Sequence, residues 1–196
     1  MLRNAIAKAA EWRDSGLMIA VAVNPSPRSL IDRDLPDMVL RMLGEAGLPA
    51  HLLELEITET AIMSDPERAA HVLRHLQANG VRVAVDDFGV GYTSLAYLKT
   101  LPANTLKIDR CFITDMLSGE KDQAIVESII DLGHKLGFAV LAEGIEGEAV
   151  RERLRDLGCD EGQGYHLGRP LPAQDFSRWI TNHLLRAAPS IKVAGG

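Results

Sequence analysis

Residues 81–91, Val-Arg-Val-Ala-Val-Asp-Asp-Phe-Gly-Val-Gly, form a short apolar run that stops at two adjacent acids and a turn with two glycines. The run has the length of a buried strand, and Asp86 and Asp87 stand at its C-terminal end. Working outward, residues 17–23, 52–57, 105–108, 138–142 and 164–167 repeat the pattern. In chain order the first five of the six runs are rich in Val, Ile and Leu, as strands covered on both faces should be. The sixth is weaker and rests on its place in the series. Helix punctuation lies between the runs. Ser64-Asp-Pro-Glu67 reads as a capping box with proline in the first turn, and Gly80 closes that helix. Gly47, Gly137 and Gly158 stand where three further helices should end, and a helix over residues 2–14 opens the chain.

Strands alternating with helices through short loops imply parallel strands joined by right-handed crossovers. A dinucleotide-binding sheet needs a glycine-rich turn after its first strand, whereas here that turn is Val23-Asn-Pro-Ser-Pro27. The polar residues favour a barrel. Asn24, Glu56, Asp86 with Asp87, Lys107 with Asp109, Glu143 and Gln163 all follow an apolar run. In a (β/α)8 barrel such positions share one mouth, where active sites lie. The expected fold is therefore α/β, an incomplete (β/α)8 TIM-like barrel with about six of eight strands in this chain. Residues 1–186 form the domain, and residues 187–196, with Pro189 and two terminal glycines, form a tail.

Composition narrows the function. The 196 residues are 46% hydrophobic and 24% charged, with a net charge of −6. That balance speaks against nonspecific DNA or RNA binding, which needs basic residues against phosphate. No apolar run approaches the roughly 20 residues of a membrane span, and no secretory signal is visible. Cys111 and Cys159 make neither a metal-spaced pair nor a disulfide framework, so a reduced, cytoplasmic setting is expected.

Each mouth residue has an ordinary reading taken singly: Asn24 as a turn residue, Glu56 and Glu59 as a solvated loop, Lys107 as a surface lysine, Asp109 as half of an exposed ion pair. Six such residues at six strand ends are better explained by shared chemistry. Two like charges 4 Å apart repel by about 4 kcal/mol at an effective dielectric of 20, and four carboxylates with one lysine require protonation or a cation. Oxygen donors with an amide favour a hard ion, Mg²⁺, Mn²⁺ or Ca²⁺. Adjacent acids such as Asp86 and Asp87 suit two metals, the arrangement used for phosphoester hydrolysis. His71 and His75, four apart on a helix, read as a solvated face, and Trp12 and Trp179 as packing residues.

These stretches resemble the EAL-domain family: Val23-Asn24, Glu54-Leu-Glu-Ile-Thr-Glu59, the run from Val85 to Leu95, Leu106-Lys-Ile-Asp-Arg110, Ala142-Glu-Gly-Ile-Glu146 and Gly162-Gln-Gly-Tyr165. The resemblance covers roughly residues 17–171 and implies bacterial phosphodiesterases that linearise cyclic di-GMP (c-di-GMP) to pGpG with Mg²⁺ or Mn²⁺, two ions in the active state, Ca²⁺ binding without supporting turnover. By the same resemblance Asn24, Glu56 and Asp86 are metal ligands and Asp87 serves the second metal. Lys107 orients water and phosphate, Glu143 serves the metal and general-base neighbourhood, Gln163 places water, and Asp109 lies near the metals. Glu59 anchors a regulatory loop that contains Gly89 and Gly91. The resemblance also implies a homodimer through that loop and the helix after it, and fusion to sensory or diguanylate-cyclase-like domains. Val90 and Ser29 depart from the usual threonine and glutamine. The larger departure is the missing strand with the Glu-Ala-Leu motif, which carries a metal-ligating glutamate. The alternative it raises is a catalytically impaired module that binds c-di-GMP or a protein.

Overall fold

The computed structural model describes residues 1–91 and 95–187. In chain order its elements are α1 (Leu2–Asp14), β1 (Val21–Val23), α2 (Pro27–Leu30), α3 (Leu35–Ala46), β2 (Leu53–Thr58), α4 (Glu59–Met63), α5 (Pro66–Ala78) and β3 (Arg82–Phe88). There follow α6 (Leu95–Leu98), β4 (Thr105–Ile108), α7 (Arg110–Thr114), α8 (Glu120–Leu136), β5 (Ala139–Ala142), α9 (Glu148–Asp156), β6 (Glu161–Gly162) and α10 (Ala173–Ala187). All six strands are parallel, and their spatial order is their chain order, β1 to β6. A doubly wound sheet reverses its strand order at a switch point. Strictly sequential neighbours instead curl progressively, and the result is a half-barrel with helices outside.

Side-chain alternation makes the two faces. In β2, Leu53, Leu55 and Ile57 are buried against helices, while Glu54, Glu56 and Thr58 are half-buried on the lumen side. β5 alternates in the same way. Only β4 is covered throughout, with Leu106 and Ile108 outward and Thr105 and Lys107 inward, all buried. The outer helices complete the core through Val39, Val72, Leu73, Leu76, Val126 and Ile130, each at most 1% exposed. Trp12 of α1 packs on Phe176 of α10 at 5.2 Å between centroids, and Phe176 stacks on Trp179 at 5.8 Å. Both tryptophans are thus packing residues.

Three local expectations are corrected. The sixth strand is Glu161–Gly162, and residues 164–167 are a turn closed by Leu167 N–H donating to Gly164 O at 3.0 Å. Gly164 lies so close to the Ile145 backbone that a Cβ would sit 2.1 Å from the Ile145 oxygen, which turns the chain there. In the first run, only Val21–Val23 pairs as strand. Asp65 caps α5 by accepting from Arg68 N–H, whereas Ser64 Oγ donates to Ala61 O. Gly47 and Gly137 end their helices in the left-handed conformation, as their positions implied. Of the expected tail, only Ala187 is described, as the last residue of α10; residues 188–196 lie outside the described residues.

Asp160 is a further brace. Its Oδ2 accepts from Val140 N–H and from the His134 ring, both at 2.8 Å, which ties β5 and α8 to the start of β6. Burial works against its charge, yet these hydrogen bonds hold its carboxyl below the ordinary carboxylate range. Its stabilisation is therefore present at neutral pH and disappears as pH falls below about 4. Asp160→Ala should cost about 1–2 kcal/mol by stranding the Val140 N–H. Thermal melts should show Tm lowered by roughly 3–6 °C at pH 7, with the gap to wild type closing on acidification.

Candidate active site

The mouth is built around one lysine. Lys107 reaches up from β4 with 3% of its side chain exposed, and its Nζ lies 2.8 Å from Glu56 Oε1, 2.8 Å from Asp86 Oδ1 and 2.6 Å from Glu143 Oε1. These acids come from β2, β3 and the residue after β5, so four consecutive strands meet at one ammonium. Burial alone would push Lys107 toward neutrality; the three carboxylates outweigh it and hold its pKa above the ordinary value. β1 joins through Asn24, whose Nδ2 donates to Glu56 Oε2 at 2.9 Å.

Asp87 joins the cluster by a local irregularity. Consecutive strand residues face opposite sides, but the β3–β4 register shifts between Val85 and Phe88, and Asp87 adopts φ 54°. A bulge with one left-handed residue brings both aspartates to the mouth. Ligand oxygens of Asp86, Asp87 and Glu143 lie within 4.8 Å of one another. Asp109 stands beside Asp87 and caps α7 through the Cys111 N–H at 2.8 Å. Burial, and then the neighbouring Asp86 and Asp109, raise the Asp87 carboxyl; burial likewise raises Glu143 against the pull of Lys107.

The acids outnumber the cation. Asp86 Oδ1 is buried and, despite its ionic contact with Lys107, accepts no well-aligned hydrogen bond. A buried, anionic, under-satisfied oxygen beside Asp87 and Glu143 is the donor set a hard divalent ion takes. Among the described residues no other group of three or more His, Cys, Asp or Glu side chains gathers this way. His71 and His75 are not in one.

The loop after β3 is anchored from below. Glu59 on α4 is 4% exposed, and a Cβ on Gly91 would fall 2.6 Å from its Cδ, so the loop backbone lies on the carboxyl. Gly89, at φ 98°, passes Phe112 so closely that a Cβ would sit 2.9 Å from the ring. Residues 92–94, the middle of the expected regulatory and dimerisation loop, lie outside the described residues. Gln163 is fixed by backbone bonds: its N–H donates to Ala142 O at 2.8 Å, and its carbonyl accepts from Ile145 N–H at 3.0 Å. With Glu143 it lines a cavity of about 270 Å³, to which Arg110, Glu146 and Tyr165 also contribute. Sequence reasoning assigned no role to those last three. The exposed Tyr165, under the Arg169 guanidinium 4.9 Å from its ring centroid, was quoted in a motif without its neighbour.

Comparison with known proteins agrees with this geometry. The EAL domain model matches residues 1–170. MucR of Pseudomonas aeruginosa, named a bifunctional diguanylate cyclase/cyclic di-GMP phosphodiesterase, is 44% identical over 167 residues, 84% of this chain and 24% of that protein. NbdA of the same organism, named a cyclic di-GMP phosphodiesterase, is 40% identical over 174 residues, 89% of this chain and 22% of that protein. The chain thus spans about a quarter or less of the length of these curated relatives. Among solved structures, the PaMucR phosphodiesterase in complex with c-di-GMP superposes with a TM-score of 0.85 at 42% identity, over 89% of this chain and 71% of that one. The EAL domain of Mycobacterium smegmatis DcpA gives 0.87 at 37% identity, over 92% and 82%. Sequential parallel strands, acids at four of the six strand ends and this degree of likeness have one explanation: the chain belongs to the EAL domain family.

Proposed function

We infer that this chain hydrolyses c-di-GMP to linear pGpG with the aid of bound divalent ions. The observation that carries this is the convergence of Glu56, Asp86 and Glu143 on Lys107 with Asp87 alongside, a mouth too acidic to receive a phosphodiester anion by itself. Asp86, Asp87 and Glu143, with Glu56 and the Asn24 amide beside them, would hold the metal, Mg²⁺ or Mn²⁺ in the working enzyme. When bound, the metal lowers the pKa of water and offsets charge on the phosphoryl oxygens.

The chain's own groups supply the rest. Lys107, held charged by its carboxylates at the base of the mouth, offsets part of the negative charge that arrives with the phosphate. Glu143, raised by burial, accepts the proton of the attacking water. Gln163, beside Glu143 in the same cavity, orients that water through its side-chain amide. Asn24 holds Glu56 in place, and Asp109 stands beside Asp87 near the metal. Glu59 seats the Gly89–Gly91 turn and so keeps Asp86 and Asp87 aimed at the mouth. Calcium should bind the same oxygens without supporting turnover, because its variable coordination places water poorly. The names of MucR and NbdA and the c-di-GMP complex of PaMucR support the choice of substrate. The same proposal includes a homodimer formed through the loop after β3 and α6, and parent proteins in which this unit is joined to sensory or cyclase-like domains.

Incubated with c-di-GMP and Mn²⁺, the chain should release pGpG, and excess chelator should stop it; turnover that survives chelation would refute metal dependence. A module that binds without hydrolysis would retain c-di-GMP and yield no pGpG. Asp86→Asn should lower turnover by well over the roughly 10- to 100-fold typical of outer-shell changes at metal sites. It should also abolish the rise in Tm that millimolar Mn²⁺ gives the wild type, a shift that reads ion binding without activity. Light scattering at micromolar concentration should give a dimer mass, and a monomer would remove the proposed interface.

A further inference from the structure

Below the mouth, the lumen side of the sheet carries a second polar layer that none of the chemistry above uses. Arg82 of β3 is its hub. Its Nε lies 3.2 Å from Glu54 Oε2 of β2, its Nη2 donates to Thr105 Oγ1 of β4 at 3.4 Å, and the same Nη2 lies 3.7 Å from Glu161 Oε1 of β6. Thr105 Oγ1 also donates to Glu54 Oε2 at 3.4 Å. On the intervening strand β5, the partner of Thr105 is Ala139, which carries no charge. One guanidinium thus spans the curl of the sheet and reaches β6 across two strands.

The layers are connected by strand periodicity. Steps of two residues keep a side chain on the same face. Glu54 therefore stands below Glu56, Thr105 below Lys107, Glu161 below Gln163, and Arg82, four residues back, below Asp86. β6 is the least secured of these strands. It has two residues, both exposed, in register with Leu141 and Ala142, and backbone bonds from Asp160 N–H to Val140 O and from Gln163 N–H to Ala142 O flank them. Gln163 follows directly; its backbone is tied to Ala142 and Ile145, and how its side chain sits over the mouth depends on how closely those two residues are held in against the sheet.

We propose that Arg82 is a positioning residue: by gripping Glu161 it holds β6 against the curled sheet and so fixes Gln163 at the mouth. The catalytic consequence rests on the phosphodiesterase reading, but the grip itself does not. Burial raises Glu54, with the Arg82 charge opposing it, so this guanidinium also serves the partly buried acid of β2. The Arg82–Glu161 arm is about half exposed, and its expected effect is correspondingly moderate.

The test uses the full chain with Glu161→Ala, a change at an exposed site that should spare folding, and Arg82→Gln as an independent second variant. Hydrogen exchange should show the Gln163 amide losing protection about three- to fivefold in Glu161→Ala, with the amides of β2, β3 and β4 unchanged. Arg82→Gln should loosen the Gln163 amide at least as much. With c-di-GMP and Mn²⁺, Glu161→Ala should lower kcat by a similar factor at unchanged KM, and should have no further effect in a Gln163→Ala background. Unchanged Gln163 protection, loosening spread evenly over the central strands, or an equal kcat loss in the Gln163→Ala background would each overturn the proposal. If the wild type itself releases no pGpG, the phosphodiesterase reading fails, and the exchange measurement alone decides whether Arg82 holds β6.

Discussion

The constraint on which this structure turns is the burial of one ammonium among three carboxylates. Lys107 is nearly inaccessible, and an unpaired charge at that depth would cost several kcal/mol. It stays charged because Glu56, Asp86 and Glu143 come within 2.8 Å of it. Those acids in turn cannot separate, since each would then lose its cation. The arrangement therefore works in both directions. The curled sheet brings four strand ends together, and the charges at those ends resist any flattening that would part them. It is an unequal bargain: the acids outnumber the lysine, and the surplus negative charge makes the mouth receptive to a hard cation.

Below that layer the barrel lumen is polar again. Arg82 links Glu54, Thr105 and Glu161 much as Lys107 links the acids above, one basic residue for several acceptors on neighbouring strands. A closed barrel fills its lumen with interdigitating side chains. Here the described strands leave β1 and β6 with a strand on one side only, and long charged side chains do part of the spanning that packed apolar layers do elsewhere. Polar lumen contacts are weaker individually than buried aliphatic ones, yet they are directional, and direction is what a mouth of converging side chains needs. The outer face carries the opposite chemistry, Leu, Ile and Val against helices, and supplies the bulk of the stability.

How much of this the sequence disclosed follows from the range of each signal. Strand-end acids are legible because an apolar run followed by Asp or Glu is a local pattern, and Asn24, Glu56, Asp86 and Glu143 do converge. Helix ends marked by Gly47 and Gly137 are legible for the same reason, since a left-handed terminal residue is a local demand. The sixth strand was misplaced because Gly164–Leu167 looked no less apolar than Glu161–Gly162. What decides between them is the approach of Gly164 to the Ile145 backbone, a contact between distant segments. Treating the strands as buried on both faces also hid the floor layer. Val81, Val83 and Val85 mask the lumen-facing alternation of Arg82, Ala84 and Asp86, and Arg82 reads as an interruption in an apolar run until its partner on β6 is known. The bulge that gives Asp87 its left-handed backbone has no sequence mark beyond the doubled aspartate.

That bulge shows how the fold reconciles two demands on β3. A regular strand would send Asp86 and Asp87 to opposite faces, one into the lumen and one among the outer helices, where an aspartate would be buried without a partner. Turning Asp87 by one left-handed residue avoids that burial and costs about 1–3 kcal/mol of backbone strain. The strain is held in place from beyond the bulge, where Gly89 and Gly91 let the following backbone lie directly on Phe112 and Glu59. A side chain at either glycine would lift the turn and release Asp87 toward its relaxed conformation. The two glycines, the buried Glu59 and the paired aspartates are thus one device, in which close backbone approach at one end sustains an unfavourable torsion at the other and keeps a second carboxylate at the mouth.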